Sequence, residues 1–318
     1  MINIILSILF FFHAPVLLAK SFSQWKKEFA KEAVKVGIPK KYTEKILKGV
    51  KFNQAVVNKD RNQVLLDKNI DYPKFIKKWK GHNPTRLEIA RKKLKKNFKL
   101  LQKVEGQYGV EKEIIISLWG VETSFGRITG KYDVISSLAT LAYDGRRRAF
   151  FTEQLKAAIL MLYRGHTTRA NLKGSWAGAT GQCQFMPSNH HLAQDFDGDG
   201  KKDIWNNKAD IFASIANYLK NAGWKKGQSI GILAANTKNK SIQGNTFRTP
   251  KEYTKLGFKR LDGGNFLDGW WKKKQAAMIP LQNSPVVLKG ENYRAIYNWN
   301  PSVLFVAFNI LMVDGLVN

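Results

Sequence analysis

The chain has 318 residues, of which 44% are hydrophobic, so it is long enough for one large domain or about two to three small ones and too apolar to be intrinsically disordered. Its 53 Lys and Arg against 24 Asp and Glu leave a net charge of +29. Such a charge favours a polyanionic partner, which could be nucleic acid, an anionic membrane or an acidic wall polymer. A protein from a Lys-rich proteome has the same charge without such a partner. The single cysteine, Cys183, excludes an intramolecular disulfide and a cysteine-cluster metal site.

The first 19 residues have the pattern of a secretory signal peptide. Ile4 to Phe12 form an apolar run that is too short to span a bilayer comfortably, and Leu17-Leu18-Ala19 precede a polar segment as a small-residue cleavage site does. The usual positive charge is missing from Met1-Ile2-Asn3, and no cysteine lies near Ala19 for lipid attachment. We predict a cleavable signal peptide over residues 1–19, a periplasmic location, and contact with a membrane that is peripheral at most.

Residues 20–110 are predicted to form an N-terminal helical domain. Phe22, Trp25 and Phe29 recur at roughly helical spacing among Lys and Glu, and several prolines divide the region into short helices. A longer basic helix is expected from Arg86 to Tyr108, with its Lys and Arg residues on a solvated face.

Residues 111–227 are predicted to form a helical core. Glu111 to Gly126 indicates a buried helix, Ser136 to Arg164 continues the helical pattern, and Asp210 to Ala222 is helical again. Between them, Gly174 to Pro187 is rich in Gly, Ala, Ser and Gln, which is typical of tight backbone packing around a functional loop.

The character of the chain changes in residues 228–294. Short apolar runs alternate there with Gly, Asn and Pro turns, which predicts a small β-rich subdomain. In residues 295–318 a final apolar helix, from Ser302 to Leu316, is expected to return to the main body. The predicted fold class is therefore mainly α (α+β), with a helical core, an N-terminal helical domain and a small β-rich subdomain.

Glu122 is the candidate catalytic residue. Ile115, Leu118 and Glu122 lie at positions i, i+3 and i+7, so they share one face of the predicted helix. A carboxyl on an apolar face and near a helix C-terminus has a raised pKa, because both burial and the helix dipole disfavour its negative charge. Such a carboxyl is a protonated acid near neutral pH, as cleavage of a glycosidic bond requires. The alternative is a structural Glu that reaches solvent or pairs with Arg127.

Several motifs follow one another in order along the chain. They are Trp119-Gly120-Val121-Glu122-Thr123-Ser124-Phe125-Gly126-Arg127, Leu138-Ala139-Thr140-Leu141 with Arg146-Arg147, Gly174-Ser175-Trp176-Ala177-Gly178-Ala179-Thr180-Gly181 with Gln184-Phe185-Met186-Pro187, Asp195-Phe196-Asp197-Gly198-Asp199-Gly200, Ala216-Asn217-Tyr218-Leu219 and Trp299-Asn300-Pro301-Ser302. Together they resemble the B-type lytic murein transglycosylases of the lysozyme-like superfamily. The resemblance covers about Phe22 to the C-terminus, and it is specific because of the order of the motifs, each of which is weak alone.

The resemblance implies a lysozyme-like helical core and cleavage of the β-1,4 bond between N-acetylmuramic acid and N-acetylglucosamine in peptidoglycan. In that family one Glu first protonates the glycosidic oxygen and then acts as the base. The 6-hydroxyl of the sugar attacks C1 and gives a 1,6-anhydro product, so no second catalytic carboxylate is needed. Glu122 corresponds to this single acid and base.

The resemblance also implies a set of substrate contacts. Ser175 and Gln184 correspond to polar groups that hold acetamido and hydroxyl groups, and Asn300 corresponds to an amide near the catalytic carboxyl. Trp299 and Phe305 stand where the family commonly has tyrosines, so their rings are expected to stack on sugars while the hydroxyl contacts are lost. The full predicted substrate-binding set is Ser175, Gln184, Phe185, Met186, Trp299, Asn300, Phe305, Arg146 and Arg147.

The segment from Asp195 to Asn206 resembles an EF-hand loop. Asp195, Asp197 and Asp199 take positions 1, 3 and 5, and Lys201 offers its backbone carbonyl at position 7. Asn206 replaces the bidentate Glu of position 12, which lowers the expected affinity. We predict a structural Ca²⁺ held by Asp195, Asp197, Asp199, Lys201 and Asn206, the alternative being an Asp-Gly turn without an ion, and we expect no organic cofactor.

Two other functions stay open. A muramidase of the lysozyme type would use the same site with water, and its reducing muramic ends would be heavier by one water. A non-catalytic protein would bind wall polymer, or would bind duplex nucleic acid with strong salt dependence, although no nucleic-acid-binding motif is recognisable. The expected partner is the glycan strand of peptidoglycan, not nucleic acid, and the expected state is a monomer.

Overall fold

The computed structural model describes residues 20–66, 85–236, 244–261, 276–280 and 286–317. The predicted signal peptide, residues 1–19, lies outside the described residues. Within these ranges, no helix has both the length and the apolar character that a membrane crossing requires.

The described part of the chain is built mainly from helices. In chain order they are α1 (Phe22–Ala33), α2 (Lys40–Leu47), α3 (Gln54–Leu66), α4 (Arg86–Lys96), α5 (Phe98–Tyr108), α6 (Lys112–Thr123), α7 (Val134–Asp144), α8 (Arg148–Tyr163), α9 (Lys208–Asn221), α10 (Pro250–Lys255), α11 (Tyr293–Trp299) and α12 (Val303–Val317). The strands are β1 (Tyr132–Asp133), β2 (Lys173–Gly174), β3 (Gly231–Asn236), β4 (Gly244–Arg248), β5 (Phe258–Arg260), β6 (Ala276–Pro280) and β7 (Val286–Lys289).

Capping side chains set where several helices begin. Ser21 starts α1 with a capping box, in which its hydroxyl accepts a hydrogen bond from the Gln24 N–H while the Gln24 side chain accepts from the Ser21 N–H. Thr85 and Glu88 form the same arrangement at the start of α4. These side chains satisfy backbone donors that the first helical turn leaves without partners.

Two predicted helical stretches are each divided in the structure. The single helix expected from Arg86 to Tyr108 was wrong, because α4 and α5 are separated at Asn97, whose side-chain Nδ2 donates to the Lys93 carbonyl over 2.7 Å. A short amide that bonds its local backbone in this way competes with helix continuation. The stretch from Ser136 to Arg164 is divided between α7 and α8 at Gly145, which has a φ of 96°.

The hydrophobic core forms two main clusters. In the first, Ala90 of α4 and Leu101 and Val104 of α5 pack with α6, α9 and α12. In the second, Trp25 and Phe29 of α1 pack with α7 and α8. Each cluster therefore combines helices from residues 20–110 with helices from residues 111–227, and the predicted domain boundaries stay predictions.

A five-stranded antiparallel sheet with the order β4-β6-β7-β3-β5 lies within the range predicted to be β-rich. Ile232 of β3 pairs with Leu288 of β7, and both side chains join a small third cluster with Tyr253 and Phe258. The apolar helix expected from Ser302 to Leu316 is observed as α12, one residue displaced at each end. Since α11 and α12 return from this sheet to α6, they bring the C-terminal part of the chain to the end of α6 that contains Glu122.

Candidate active site

Glu122 lies in the last turn of α6, a helix with buried apolar residues all round. The chain turns sharply after this helix, where Ser124, Phe125 and Gly126 have consecutive φ angles of 49°, 62° and 83°. The left-handed region is unfavourable for Ser and Phe, so the tertiary structure must hold this turn. The turn ends the helix just beyond Glu122.

Gln182 holds the end of α6 against the loop that follows β2. Its Oε1 accepts a hydrogen bond of 2.8 Å from the Trp119 indole, and its Nε2 donates over 2.7 Å to the Trp205 carbonyl. A Cβ on Gly126 would lie 2.1 Å from Gln182 Oε1, so a larger residue there would displace the Gln182 amide. Gln182 is not among the residues predicted from the sequence, since nothing in its local pattern distinguishes it from neighbouring Gln184.

The carboxyl of Glu122 is half-buried and receives a hydrogen bond from Trp299. The distance from Trp299 Nε1 to Glu122 Oε1 is 2.7 Å. Burial raises the pKa of Glu122 from its usual 4.5 to about 7, and the hydrogen bond from Trp299 opposes part of that shift. A large fraction of Glu122 is therefore protonated at neutral pH, as the sequence analysis expected for a glycosidic acid.

An aromatic group holds Trp299 beside this carboxyl. Its ring centroid is 4.5 Å from that of Tyr218, at an interplanar angle of 61°, and 5.4 Å from that of Phe185. The Tyr218 hydroxyl donates over 3.0 Å to the Asn298 carbonyl, next to Trp299. The structure thus brings together three residues that lie far apart in the sequence.

The loop around Ser175 and Gln184 is held mainly by its own backbone. Thr180 and Phe185 exchange backbone hydrogen bonds of 2.9 and 3.1 Å. Ser175 Oγ accepts from the Ala179 N–H over 3.1 Å, and Gln184 Nε2 donates to the Thr129 and Gly181 carbonyls over 3.0 and 2.9 Å. Both side chains therefore shape the loop, and their predicted contacts with substrate stay predictions.

Gly130 allows this loop to approach the segment after α6. A Cβ on Gly130 would lie 2.1 Å from the Gly174 carbonyl oxygen, and its φ is 92°. Strands β1 and β2 pair next to this contact, with Tyr132 opposite Gly174. This close approach brings the loop beside the chain that leaves the end of α6.

The other predicted substrate contacts occupy different environments. Asn300 is exposed directly after α11, and Met186 is half-buried against the second core cluster. Phe305 is only 8% exposed and packs in the first core cluster, so the expectation that its ring stacks on a sugar does not fit its position. The residue lies on α12, whose apolar side faces α6.

Arg146 and Arg147 are not positioned as free substrate-binding cations. Both guanidinium groups pair with the buried carboxylate of Asp60 in α3. Burial alone would raise the pKa of Asp60, but the hydrogen bonds from Arg146 and Arg147 outweigh burial and lower it. These pairs join α3 to the turn between α7 and α8, and the predicted contacts of Arg146 and Arg147 with substrate stay predictions.

Three aspartates of the EF-hand-like loop converge on one point. Ligand oxygens of Asp195, Asp197 and Asp199 all lie within 4.8 Å of one another. Asp195 Oδ2 accepts from the Gly200 N–H over 2.8 Å, which closes the loop on itself. Carboxylate oxygens at this spacing are the donor type that hard divalent cations prefer, so these three residues fit a Ca²⁺ ion.

The second half of the loop departs from the EF-hand pattern. The side-chain Nδ2 of Asn206 donates to Asp203 Oδ2 over 3.3 Å, and its predicted role as a metal ligand stays a prediction. Asp210, which the sequence analysis missed, accepts from the N–H groups of Phe196 and Asp203, each over 2.8 Å. Desolvation raises the pKa of this buried carboxyl, which fastens both halves of the loop to α9.

Comparisons with known proteins find relatives of this chain in sequence and in fold. Membrane-bound lytic murein transglycosylase B of Escherichia coli is 44% identical over 129 residues, a stretch that covers 40% of this chain and 36% of that protein's length. SltB3 from Pseudomonas aeruginosa, in complex with NAG-NAM-pentapeptide, has a TM-score of 0.82 and 33% identity, over 93% of this chain and 80% of that chain. The lytic transglycosylase Slt35 of Escherichia coli, in complex with calcium, has a TM-score of 0.75 and 27% identity, over 92% of each chain.

These likenesses confirm two expectations from the sequence. The fold is mainly α with small antiparallel sheets, as in the lysozyme-like lytic transglycosylases. The resemblance to the B-type lytic transglycosylases is also confirmed. The model of the Transglycosylase SLT domain family matches residues 21–312, nearly the full length of the chain. From its sequence motifs, its fold and this match, the chain belongs to the Transglycosylase SLT domain family.

Proposed function

We propose that the protein is a lytic transglycosylase that cleaves the β-1,4 bond between N-acetylmuramic acid and N-acetylglucosamine in peptidoglycan, leaving 1,6-anhydro-muramic ends. The observation that supports this most directly is the half-buried Glu122 with a pKa of about 7, next to Trp299, in a chain of this family. Solved structures of SltB3 contain NAG-NAM-pentapeptide and NAG-anhNAM-pentapeptide. A bound anhydro-muramic ligand in that relative fits the proposed product.

In the proposed reaction Glu122 acts twice. Its protonated carboxyl donates the proton to the glycosidic oxygen as the bond from C1 to that oxygen breaks. The resulting carboxylate then accepts the proton of the muramic 6-hydroxyl as that oxygen bonds to C1. The carboxyl thus returns to its protonated form, and no water is consumed.

The other carboxylates near Glu122 in sequence are consistent with a single catalytic acid, because arginines bind them. Asp133 is bound by Arg169 through two hydrogen bonds of 2.8 Å, and Asp144 is bound by Arg61 over 2.8 Å. The pKa of Asp133 is lowered, because the hydrogen bonds from Arg169 and Ser136 outweigh the effect of burial. Asp133 is therefore an ionised structural group and is unsuited to donating a proton at neutral pH.

Mass spectrometry of the products tests this proposal. Purified sacculi treated with the protein should release muropeptides whose muramic ends are lighter by one water than reducing ends. Reducing ends would support the muramidase alternative. A protein that pellets with sacculi and releases nothing would support the non-catalytic binder.

The pH dependence of the lytic rate follows from the pKa of Glu122. Because burial raises that pKa to about 7, the acid form is depleted as the pH rises through about 7, and the rate should fall there by close to tenfold per pH unit. Initial rates on a soluble muropeptide, measured from about pH 5 to 9 at constant ionic strength, check this. A rate that stays level up to pH 9 would contradict the assignment of Glu122 as the acid.

We also propose that the EF-hand-like loop binds Ca²⁺ through Asp195, Asp197 and Asp199, with Lys201 contributing its carbonyl. The convergence of three carboxylates supports this, and a Slt35 structure is described as a complex with calcium. Because Asn206 lacks the second charged oxygen of a position-12 Glu, a weak site is expected, with a Kd on the order of 10⁻⁴ M.

Millimolar Ca²⁺ should raise the melting temperature by roughly 2–6 °C, because an ion that binds only the folded state stabilises it. The same concentration of Mg²⁺ should have a smaller effect, since Mg²⁺ gives up its bound waters reluctantly. The Asp197→Asn variant, which keeps an oxygen but loses the charge, should lose most of the shift. Equal shifts with both ions, or an unchanged shift in Asp197→Asn, would contradict a Ca²⁺ site in this loop.

The proposed working place is the periplasm, where the protein would contact membranes peripherally at most. A net charge of +29 attracts a polymer whose muramyl and peptide carboxylates are negative. An envelope location is supported by the similarity to membrane-bound lytic murein transglycosylase B of Escherichia coli. The monomeric state stays a prediction from the sequence.

A further inference from the structure

The indole of Trp299 donates a hydrogen bond to one oxygen of the Glu122 carboxyl. Nε1 of Trp299 lies 2.7 Å from Oε1, and an indole N–H can donate but never accept. We infer that Trp299 is a positioning residue that keeps Oε1 as an acceptor and so directs the transferable proton to Oε2. The inference rests on the proposed function of Glu122 and adds the oxygen through which that function works.

The type of donor matters for proton transfer. A phenolic hydroxyl in this place could donate to an unprotonated carboxyl oxygen or accept from a protonated one, so the proton of the carboxyl could lie on either oxygen. An indole N–H cannot accept, so the carboxyl oxygen bonded to it cannot donate the proton to it. A tryptophan in this place thus keeps the donor of a tyrosine hydroxyl and lacks its acceptor.

The packing around Trp299 restricts its rotation. Tyr218 and Phe185 contact the ring from α9 and from the loop after β2, at centroid distances of 4.5 and 5.4 Å. The Tyr218 hydroxyl bonds the Asn298 carbonyl, which fastens the end of α11 to α9. A donor held in this way orients the carboxyl before substrate arrives, and such preorganisation lowers the reorganisation that the reaction requires.

No ion pair competes with the Trp299 hydrogen bond for the Glu122 carboxyl in the described residues. In the part of the chain that the structure describes, Glu122 takes part in no ion pair. Burial raises the pKa of the Cys183 thiol, and the charges of Glu122 and Asp210 raise it further, so the thiol is neutral. Burial likewise raises the pKa of Tyr218, and Arg127, on the chain that leaves α6, is exposed. The indole is the group that stabilises the ionised form of Glu122.

Steady-state kinetics of Trp299→Phe on a soluble muropeptide test the inference. The expected result is a roughly 10- to 100-fold lower kcat with KM changed less than about threefold, because Phe keeps the ring packing and loses the donor. The basic limb of the pH–rate profile should move to higher pH, since a hydrogen bond to the ionised form is lost. Trp299→Tyr should recover only part of kcat, because its hydroxyl restores a donor but can also accept the proton of the carboxyl.

Trp224 offers a matched control at the opposite end of α6. Its indole Nε1 donates over 2.9 Å to Oε2 of Glu111, which precedes the first residue of the helix. Trp224→Phe removes the same type of hydrogen bond from the same helix without touching Glu122. Its kcat and pH profile should stay within about twofold of the wild-type protein. An equal loss in both variants would mean that the effect is general destabilisation, and it would overturn the positioning role.

The indole N–H resonance of Trp299 gives a readout that requires no loss of packing. In ¹⁵N-labelled wild-type protein this signal should titrate with a midpoint at the pKa of Glu122, about 7, and should stop titrating in Glu122→Gln. The inference is overturned by a Trp299 signal that does not move with pH. It is equally overturned if Trp299→Phe keeps both kcat and the pH profile, or raises only KM, which would assign the ring to sugar binding.

Glu122→Gln separates this inference from the proposed function. If that variant keeps its lytic activity, the proposed role of Glu122 fails. If it is inactive while Trp299→Phe behaves as wild type, only the positioning role of Trp299 fails.

Discussion

Replacing Glu122 by Gln is expected to lower the release of anhydro-muropeptides from purified sacculi by roughly 10²–10⁴-fold. The amide has no proton to give to the glycosidic oxygen and is too weak a base for the 6-hydroxyl. Its oxygen can still accept the hydrogen bond from Trp299, so the geometry of the site should survive. Liquid chromatography with mass spectrometry of the released muropeptides measures the loss.

The melting temperature of the Glu122→Gln variant shows whether it is folded. The pKa of Glu122 is raised from 4.5 to about 7 in the folded protein, so the stability that this group contributes is lost as the pH rises between these values. Glutamine has no charge to bury, so Glu122→Gln should melt at the same or a higher temperature than the wild-type protein at pH 8. Undiminished release of anhydro-muropeptides by a folded Glu122→Gln variant would contradict the proposed mechanism.

Replacing Gln182 by Ala is expected to destabilise the protein by roughly 2–4 kcal/mol, because it leaves the buried Trp119 N–H and the Trp205 carbonyl without partners. The end of α6 would also lose one attachment to the loop after β2, while the bond from Thr123 Oγ1 to the Gln182 carbonyl remains. Lytic activity should therefore fall even at temperatures where the variant is folded. Thermal denaturation and the muropeptide assay, performed on the same preparation, separate the two effects.

Gln54 provides the control for this prediction. Its side chain donates over 3.0 Å to Asn58 on the exposed surface of α3, so Gln54→Ala should change the free energy of unfolding by less than about 0.5 kcal/mol. A Gln182→Ala variant as stable as Gln54→Ala would show that the two hydrogen bonds of Gln182 are replaced by water at little cost.

Local patterns in the sequence succeed where a segment is determined by its own residues. The buried α6 follows from its apolar composition, and α12 from the apolar run near the C-terminus. The β-rich character of residues 228–294 follows from short apolar runs between turn residues. The break at Asn97 was missed because a single amide that bonds to its local backbone leaves the surrounding periodicity unchanged.

Side-chain partners that lie far apart in the chain could not be predicted from the sequence. Arg146 and Arg147 were expected to bind substrate, yet their partner is Asp60, 86 and 87 residues away in the chain. Such pairings depend on which surfaces meet after folding, and no local pattern contains that information.

The sequence by itself determined the family, the helical character of the core and the identity of the candidate acid, because ordered motifs and apolar periodicity are local properties of the chain. Only the tertiary structure decided what surrounds that acid. The 177-residue separation between Glu122 and Trp299 closes when α11 and α12 return to α6, and the resulting burial raises the pKa of Glu122 to about 7. The environment that makes this carboxyl suitable as an acid arises from contacts between segments that are far apart in the chain.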